Sequence, residues 1–182
     1  MHVSLGVIGI CRKERTLLMA ERGEDPQART WAFPGGGIEE GELPEQAIVR
    51  EWEEELGVRP EVVGLIGLAH RAVPKETHVL YLFELRLPAK EGAIRVDGLE
   101  AIRYAWITEA GLEDLHARDR LASPRDYFVA RFVWRHGSDL GPLRPEHYTP
   151  PADANRPRTR TALYLTGGWG ERASGRSVDL RL

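Results

Sequence analysis

The chain has 182 residues, 42% hydrophobic and 29% charged, which supports one globular domain with a small appendage. A formal net charge of −3 and a pI of about 6.1 exclude a general attraction to nucleic acid or an anionic membrane, so an anionic ligand must be held locally, by a few basic groups or a metal. The single cysteine, Cys11, excludes an intramolecular disulfide, and no stretch suits a signal peptide or a membrane span, so the chain reads as a cytoplasmic protein.

In chain order, residues 3–11 are apolar, β-branched and glycine-studded, which predicts a buried strand, with Cys11 as a small buried hydrophobe. After a charged turn at Arg12–Arg15, Thr16–Glu21 reads as the returning strand of a hairpin. Thr30–Pro34 is a short strand, stopped by Pro34 and the glycines Gly35–Gly37. Residues 44–56 form a helix: Pro44 suits the first turn, Glu42 and Glu45 sit near the positive end of the dipole, and Gly57 is a C-terminal stop. Strands follow at 60–70, 78–87 and 102–107, then a short helix at 110–116. Ser123 and Pro124 open a last helix that ends near Gly137. These elements divide the chain into a domain at 1–136 and a Pro/Arg/Gly-rich extension at 137–182. The extension holds five of the twelve prolines and one strand-like run, Thr161–Thr166; it could wrap the domain, add a strand to a sheet edge or form the arm of a homodimer. Five or six strands with two or three helices predict an α+β fold.

The stretch that carries chemistry is Gly36–Val58. Ile48, Trp52 and Leu56 recur at i, i+4, i+8 and mark a buried stripe, while Glu51, Glu54 and Glu55 at i, i+3, i+4 mark an acidic one. Carboxylates crowded in this way repel one another unless a cation sits among them, and hard divalent cations take oxygen ligands. The glycines before the helix permit unusual backbone angles and close approach to a ligand.

The full spacing is Gly36, five residues, Glu42, seven residues, Arg50-Glu51, a hydrophobic residue, any residue, Glu54-Glu55, any residue, Gly57 and Val58. This resembles the Nudix box at every fixed position. Trp52 is large where the family mostly has Ile, Leu or Val, and is expected to alter packing rather than chemistry. The paired strands at 3–21, the WAFPGGG lead-in and Glu100 six residues before Trp106 extend the resemblance to roughly residues 3–136.

The resemblance implies an α/β/α sandwich around a mixed sheet. It also implies hydrolysis of a nucleoside diphosphate linked to another moiety, by water attack on phosphorus assisted by Mg²⁺ or Mn²⁺. It places Glu51, Glu54 and Glu55 at the metal, joined by the backbone carbonyl of Gly35. Gly36, Glu42, Arg50 and Gly57 become structural supports of the site. Glu100 is the leading outside candidate for a metal ligand and general base, with Glu51 the alternative base; Glu53 occupies a free position of the motif. Trp31, Phe33, Arg71 and Lys75 are candidate substrate contacts, with His78, Pro74 and the tail residues Arg156, Arg158 and Arg160 as weaker ones. The partner expected is a small-molecule nucleotide, with neither nucleic acid nor membrane. Two other readings stay open: a catalytically silent nucleotide-binding regulator, and a pyrophosphohydrolase of RNA 5′ ends.

Overall fold

The alternation along the first strand sets the layers. In a computed structural model of the chain, which describes residues 2–73, 75–88, 94–136, 160–165 and 179–181, β1 runs from His2 to Lys13. Its odd positions Val7 and Cys11 face a core shared with Ala47, Ile48, Trp52 and Leu56 of α1 (Pro44–Leu56). Its even positions Ile8 and Ile10 face a second core with Leu112 of α2 (Glu109–Ala117) and Val129, Ala130 and Val133 of α3 (Pro124–His136). Side chains on a strand alternate between faces, so one apolar strand supplies both cores and the helices cover both sides. This is the α/β/α arrangement of an α+β fold.

The sheet is mixed. β1 lies parallel to β5 (Glu76–Arg86) from His2↔Glu76 to Cys11↔Leu85, and β5 lies antiparallel to β4 (Glu61–Val73). On the other side β2 (Thr16–Arg22) carries β3 (Trp31–Ala32) and β6 (Ala101–Thr108) as antiparallel neighbours. The hairpin expected over residues 3–21 is therefore much shorter than its two strands: β1 and β2 pair only at Arg12↔Leu17 and Lys13↔Thr16. Beyond that turn β1 bonds to β5 and β2 to β6. Buried Glu21 pins that half together, accepting from Arg103 of β6 and, at 3.2 Å, from Arg120 after α2.

Of the extension, Arg160–Leu165 forms β7 along the free edge of β4, and Asp179–Arg181 forms β8 beside it, an element the sequence did not announce. No helix among the described residues is long and apolar enough to cross a membrane.

The entry to α1 follows from its residues. Pro44 opens the helix, and the Leu43 N–H donates to the Gln46 side chain at 2.9 Å, satisfying one group that lies outside the helical ladder. At the far end Gly57 adopts φ 63°, a left-handed cap in which its N–H donates to the Glu53 carbonyl at 3.1 Å.

Candidate functional site

The glycine loop and α1 are locked face to face. Val7 N–H donates to the Gly36 carbonyl and Gly9 N–H to the Pro34 carbonyl, both at 2.9 Å, which holds the loop on β1. Gly35 has φ +147°, and a Cβ there would run into the Val7 carbonyl. A Cβ on Gly36 would stand 2.5 Å from the Glu51 carboxylate, so only glycine lets that carboxylate lie against the loop backbone. The Gly35 N–H donates to Glu55 Oε1 at 3.3 Å. That contact is made by the amide of Gly35, whereas its carbonyl is the group expected at a metal.

Three of the glutamates converge. Glu51, Glu55 and Glu100 each offer an oxygen, and these atoms lie within 4.8 Å of one another. Glu51 and Glu55 are buried, whereas Glu100 is exposed. Burial pushes the Glu55 carboxyl up from 4.5 to about 8, with the Glu51 and Glu100 charges adding to the shift against the Gly35 hydrogen bond and Arg22. Burial also raises Glu51, opposed by its bond to Arg50. Two desolvated carboxyls and a third at the rim fit a hard divalent cation, which would supply the charge the cluster lacks.

Glu54 stands apart from this triplet. Its carboxylate meets Arg50 Nη1 at 3.0 Å, on a side chain 60% exposed. Residues one position apart on a helix point about 100° from each other, and here Arg50 at i−4 pairs with Glu54, the outer of the two. Arg50 is the hub of the support. Its Nε and Nη2 grip Glu42 at 3.0 Å each, Nη1 reaches Glu51 at 2.9 Å, and Nη2 also donates to the Gly37 carbonyl at 2.9 Å. Arg50 in turn lowers the pKa of Glu42, mainly through that hydrogen bond, and Glu42 also accepts from the Glu39 N–H at 3.1 Å. Glu53 meets Arg59 on the surface at 3.2 Å.

Glu100 arrives from the other half of the sheet. It precedes β6, and the loop before it docks on the last turn of α1: Arg95 N–H donates to the Leu56 carbonyl at 2.8 Å and Asp97 N–H to that of Glu55 at 3.1 Å.

The candidate substrate contacts fare differently. Trp31 and Phe33, expected as substrate contacts, are only 7% and 3% exposed and belong to the α2/α3 core, so their faces are covered by protein. Arg103 lies over the Trp31 ring, 5.2 Å from its centre. Lys75, exposed at φ 74°, sits at the tip of the β4–β5 turn, five strand positions beyond the residue paired with Gly6 and so about 16 Å along the strand from the loop. His78 is engaged by Ser4 at 2.6 Å and faces Glu76 at 3.4 Å. The Arg71 side chain, Pro74, Arg156 and Arg158 lie outside the described residues, as does the Arg160 side chain.

Two further residues carry buried charge: Arg22, which acts electrostatically on Glu55, and Asp126, which Arg22 also acts on. Arg22 Nε and Asp126 Oδ2 are buried with no hydrogen-bond partner among the described residues. Arg22 acts on both Glu55 and Asp126, and burial raises the Asp126 carboxyl although Arg125 binds its other oxygen at 2.9 Å. The only cue in the sequence was Asp126 in the first turn of a Ser-Pro helix start, which reads as ordinary capping.

The NUDIX domain family matches residues 1–132. An 8-oxo-dGTP diphosphatase of Proteus vulgaris is 33% identical over 106 residues, 54% of this chain and 92% of that protein. An ADP-ribose pyrophosphatase of Methanocaldococcus jannaschii is 40% identical over 68 residues, 37% of this chain and 40% of that protein. An RNA pyrophosphohydrolase of Psychromonas ingrahamii is 46% identical over 64 residues, 35% of this chain and 33% of that protein. The chain thus spans less than half the length of the latter two. The solution structure of the E. coli ORF135 protein superposes with a TM-score of 0.60 at 26% identity, covering 76% of this chain and 93% of that one. The match takes in both halves of the sheet, the glycine loop, α1 and Glu100, and the chain belongs to the Nudix family.

Proposed function

We propose that the chain is a divalent-metal-dependent pyrophosphohydrolase of nucleotide-derived phosphoanhydrides. The observation that carries this reading is the convergence of Glu51, Glu55 and Glu100 around a position where two of the carboxyls are desolvated. In this reading Glu51 and Glu55 hold Mg²⁺ or Mn²⁺ from the helix, and Glu100 closes the ring from the loop. Bound there, the cation would offset phosphate charge and favour attack by water. In this reading Glu100, the exposed member, would take the proton of that water. Gly36 and Arg50 orient Glu51, and Arg50 with Glu42 sets the loop. Glu54 adds negative charge at the rim and reaches the cation only by releasing Arg50.

Residues 1–136 form the catalytic domain in this reading, and the extension from 137 closes the β4 edge. The named activities of the three relatives share cleavage of a phosphoanhydride and differ in substrate, from small nucleotides to RNA. The test is hydrolysis with Mg²⁺ across ADP-ribose, 8-oxo-dGTP, nucleotide sugars, dinucleoside polyphosphates and 5′-triphosphorylated RNA. Turnover of at least one substrate is expected to stop with EDTA and to fall by about 10²–10³-fold in Glu55→Gln, on the scale of losing a principal electrostatic group. Glu54→Gln is expected to lose less. A folded Glu55→Gln with wild-type turnover would refute the site, and inactivity on the whole panel would favour a binding role.

A further inference from the structure

Asp97 stands outside the carboxylate cluster and touches both elements that build it. Its N–H donates to the carbonyl of Glu55 at 3.1 Å, and the Arg95 N–H to that of Leu56 at 2.8 Å. Carbonyls of a last helical turn have no partner within the helix, so this loop satisfies them. The carboxylate of Asp97 reaches the other way. Its Oδ2 accepts from the Glu100 N–H at 2.9 Å and its Oδ1 from the Ala101 N–H at 2.8 Å. Gly98 at φ +81° turns the chain between them, and its N–H donates to the Ala101 carbonyl at 2.9 Å. The Glu100 carbonyl accepts from the Gly23 N–H at 2.9 Å. The Glu100 side chain is exposed, so little packing fixes it and its position rests on its backbone. Among the described residues, Asp97 is the one that hydrogen-bonds to both that backbone and the backbone of Glu55.

We infer that Asp97 is a positioning residue that holds the Glu100 loop on the last turn of α1, at the separation where Glu100 joins Glu51 and Glu55. It bonds to the backbone of one proposed ligand with its amide and to that of another with its carboxylate. The inference rests on the reading of these three glutamates as cation ligands. Partners that orient metal ligands are worth about 10–100-fold in affinity or activity when lost. A turn residue that merely starts β6 would affect folding without acting through Glu100.

The experiment is a set of Mn²⁺ titrations by electron paramagnetic resonance on the full chain and on Asp97→Ala, Asp97→Asn, Glu100→Ala and the Asp97→Ala/Glu100→Ala pair. Melting curves establish that each is folded. Asp97→Ala is expected to weaken Mn²⁺ binding by about tenfold. Asp97→Asn, which keeps one acceptor oxygen, is expected to lose less, and it carries the same cycle if the alanine variant does not fold. The pair is expected to bind no more weakly than Glu100→Ala alone, because with no carboxylate at position 100 there is nothing left to position. Wild-type affinity in Asp97→Ala overturns the inference. So does an equal loss in the Glu100→Ala background, which would mean that Asp97 acts through its charge or the fold. Wild-type affinity in Glu100→Ala overturns the ligand assignment itself, and with it the role of Asp97.

Discussion

Glu55 is where burial and function pull hardest against each other. Burial pushes its carboxyl up to about 8, so the metal-free protein holds a proton there at neutral pH. The sign of the stability effect follows. Below about pH 4.5 the folded and unfolded chains both carry the proton; between 4.5 and 8 the unfolded chain has lost it and the folded one has not. The folded state then binds more protons, so stability is full below the lower value and is lost as pH rises through the upper one. Glu51 and Asp126 shift in the same direction, while Glu42 is lowered and acts only in the acid range, where falling pH removes its contribution. The melting temperature of the EDTA-treated protein is therefore expected to fall from pH 5 to pH 8.5, and to fall less in Glu55→Gln. An equal slope in both proteins would contradict the assignment. At this scale the box spacing put Glu51 and Glu55 on one helix face, and the glutamate before Trp106 pointed to Glu100. The sequence could not tell that Arg50 would draw Glu54 aside, because Glu51, Glu54 and Glu55 read alike as one acidic stripe. Nor could it reveal Arg22, Asp126 and Asp97, whose significance lies in what surrounds them; the Asp97-Gly98 pair signals a turn and nothing more.

At the scale of elements, α1 and β1 are fitted to each other through one unusual pair. Trp52 is fully buried, and a Cβ on Gly9 would meet its indole Nε1 at 2.5 Å and the Leu85 side chain closer still. The bulk expected of Trp52 is thus absorbed by a gap in the strand beneath it. Gly9→Ala is expected to destabilise the protein by about 1–3 kcal/mol in urea unfolding, as overpacking does, and Trp52→Leu to recover part of that loss in the double variant. Strict additivity of the two changes would show that they do not share this space. The elements themselves were legible wherever a period or a punctuating residue marked them: α1 from Pro44 to Gly57, α3 from Ser123, and β4 to β6 from their apolar runs. Partners were less so. An apolar run such as 3–11 shows that a strand is buried but not which strand it bonds, so the parallel pairing of β1 with β5 and the brevity of the β1–β2 hairpin were not readable. The three residues of β8 are too few to carry a period.

Taken whole, the molecule draws one acidic site from both halves of a mixed sheet. β1 and β5 seat the glycine loop and α1, which bring Glu51 and Glu55; the β2–β6 half brings Glu100, and the loop at Asp97 joins the two. A cation bound only by the folded state would bridge this seam and stabilise the fold by mass action, by about 2.7 kcal/mol at a hundred times its dissociation constant. Whether the three carboxylates hold a divalent cation is decided by Mn²⁺ binding to the wild type and Glu55→Gln at pH 8. Saturable binding is expected in the wild type and a loss of at least about tenfold in affinity in the variant; equal affinity in the two proteins, both folded, would contradict a cation held by these carboxylates.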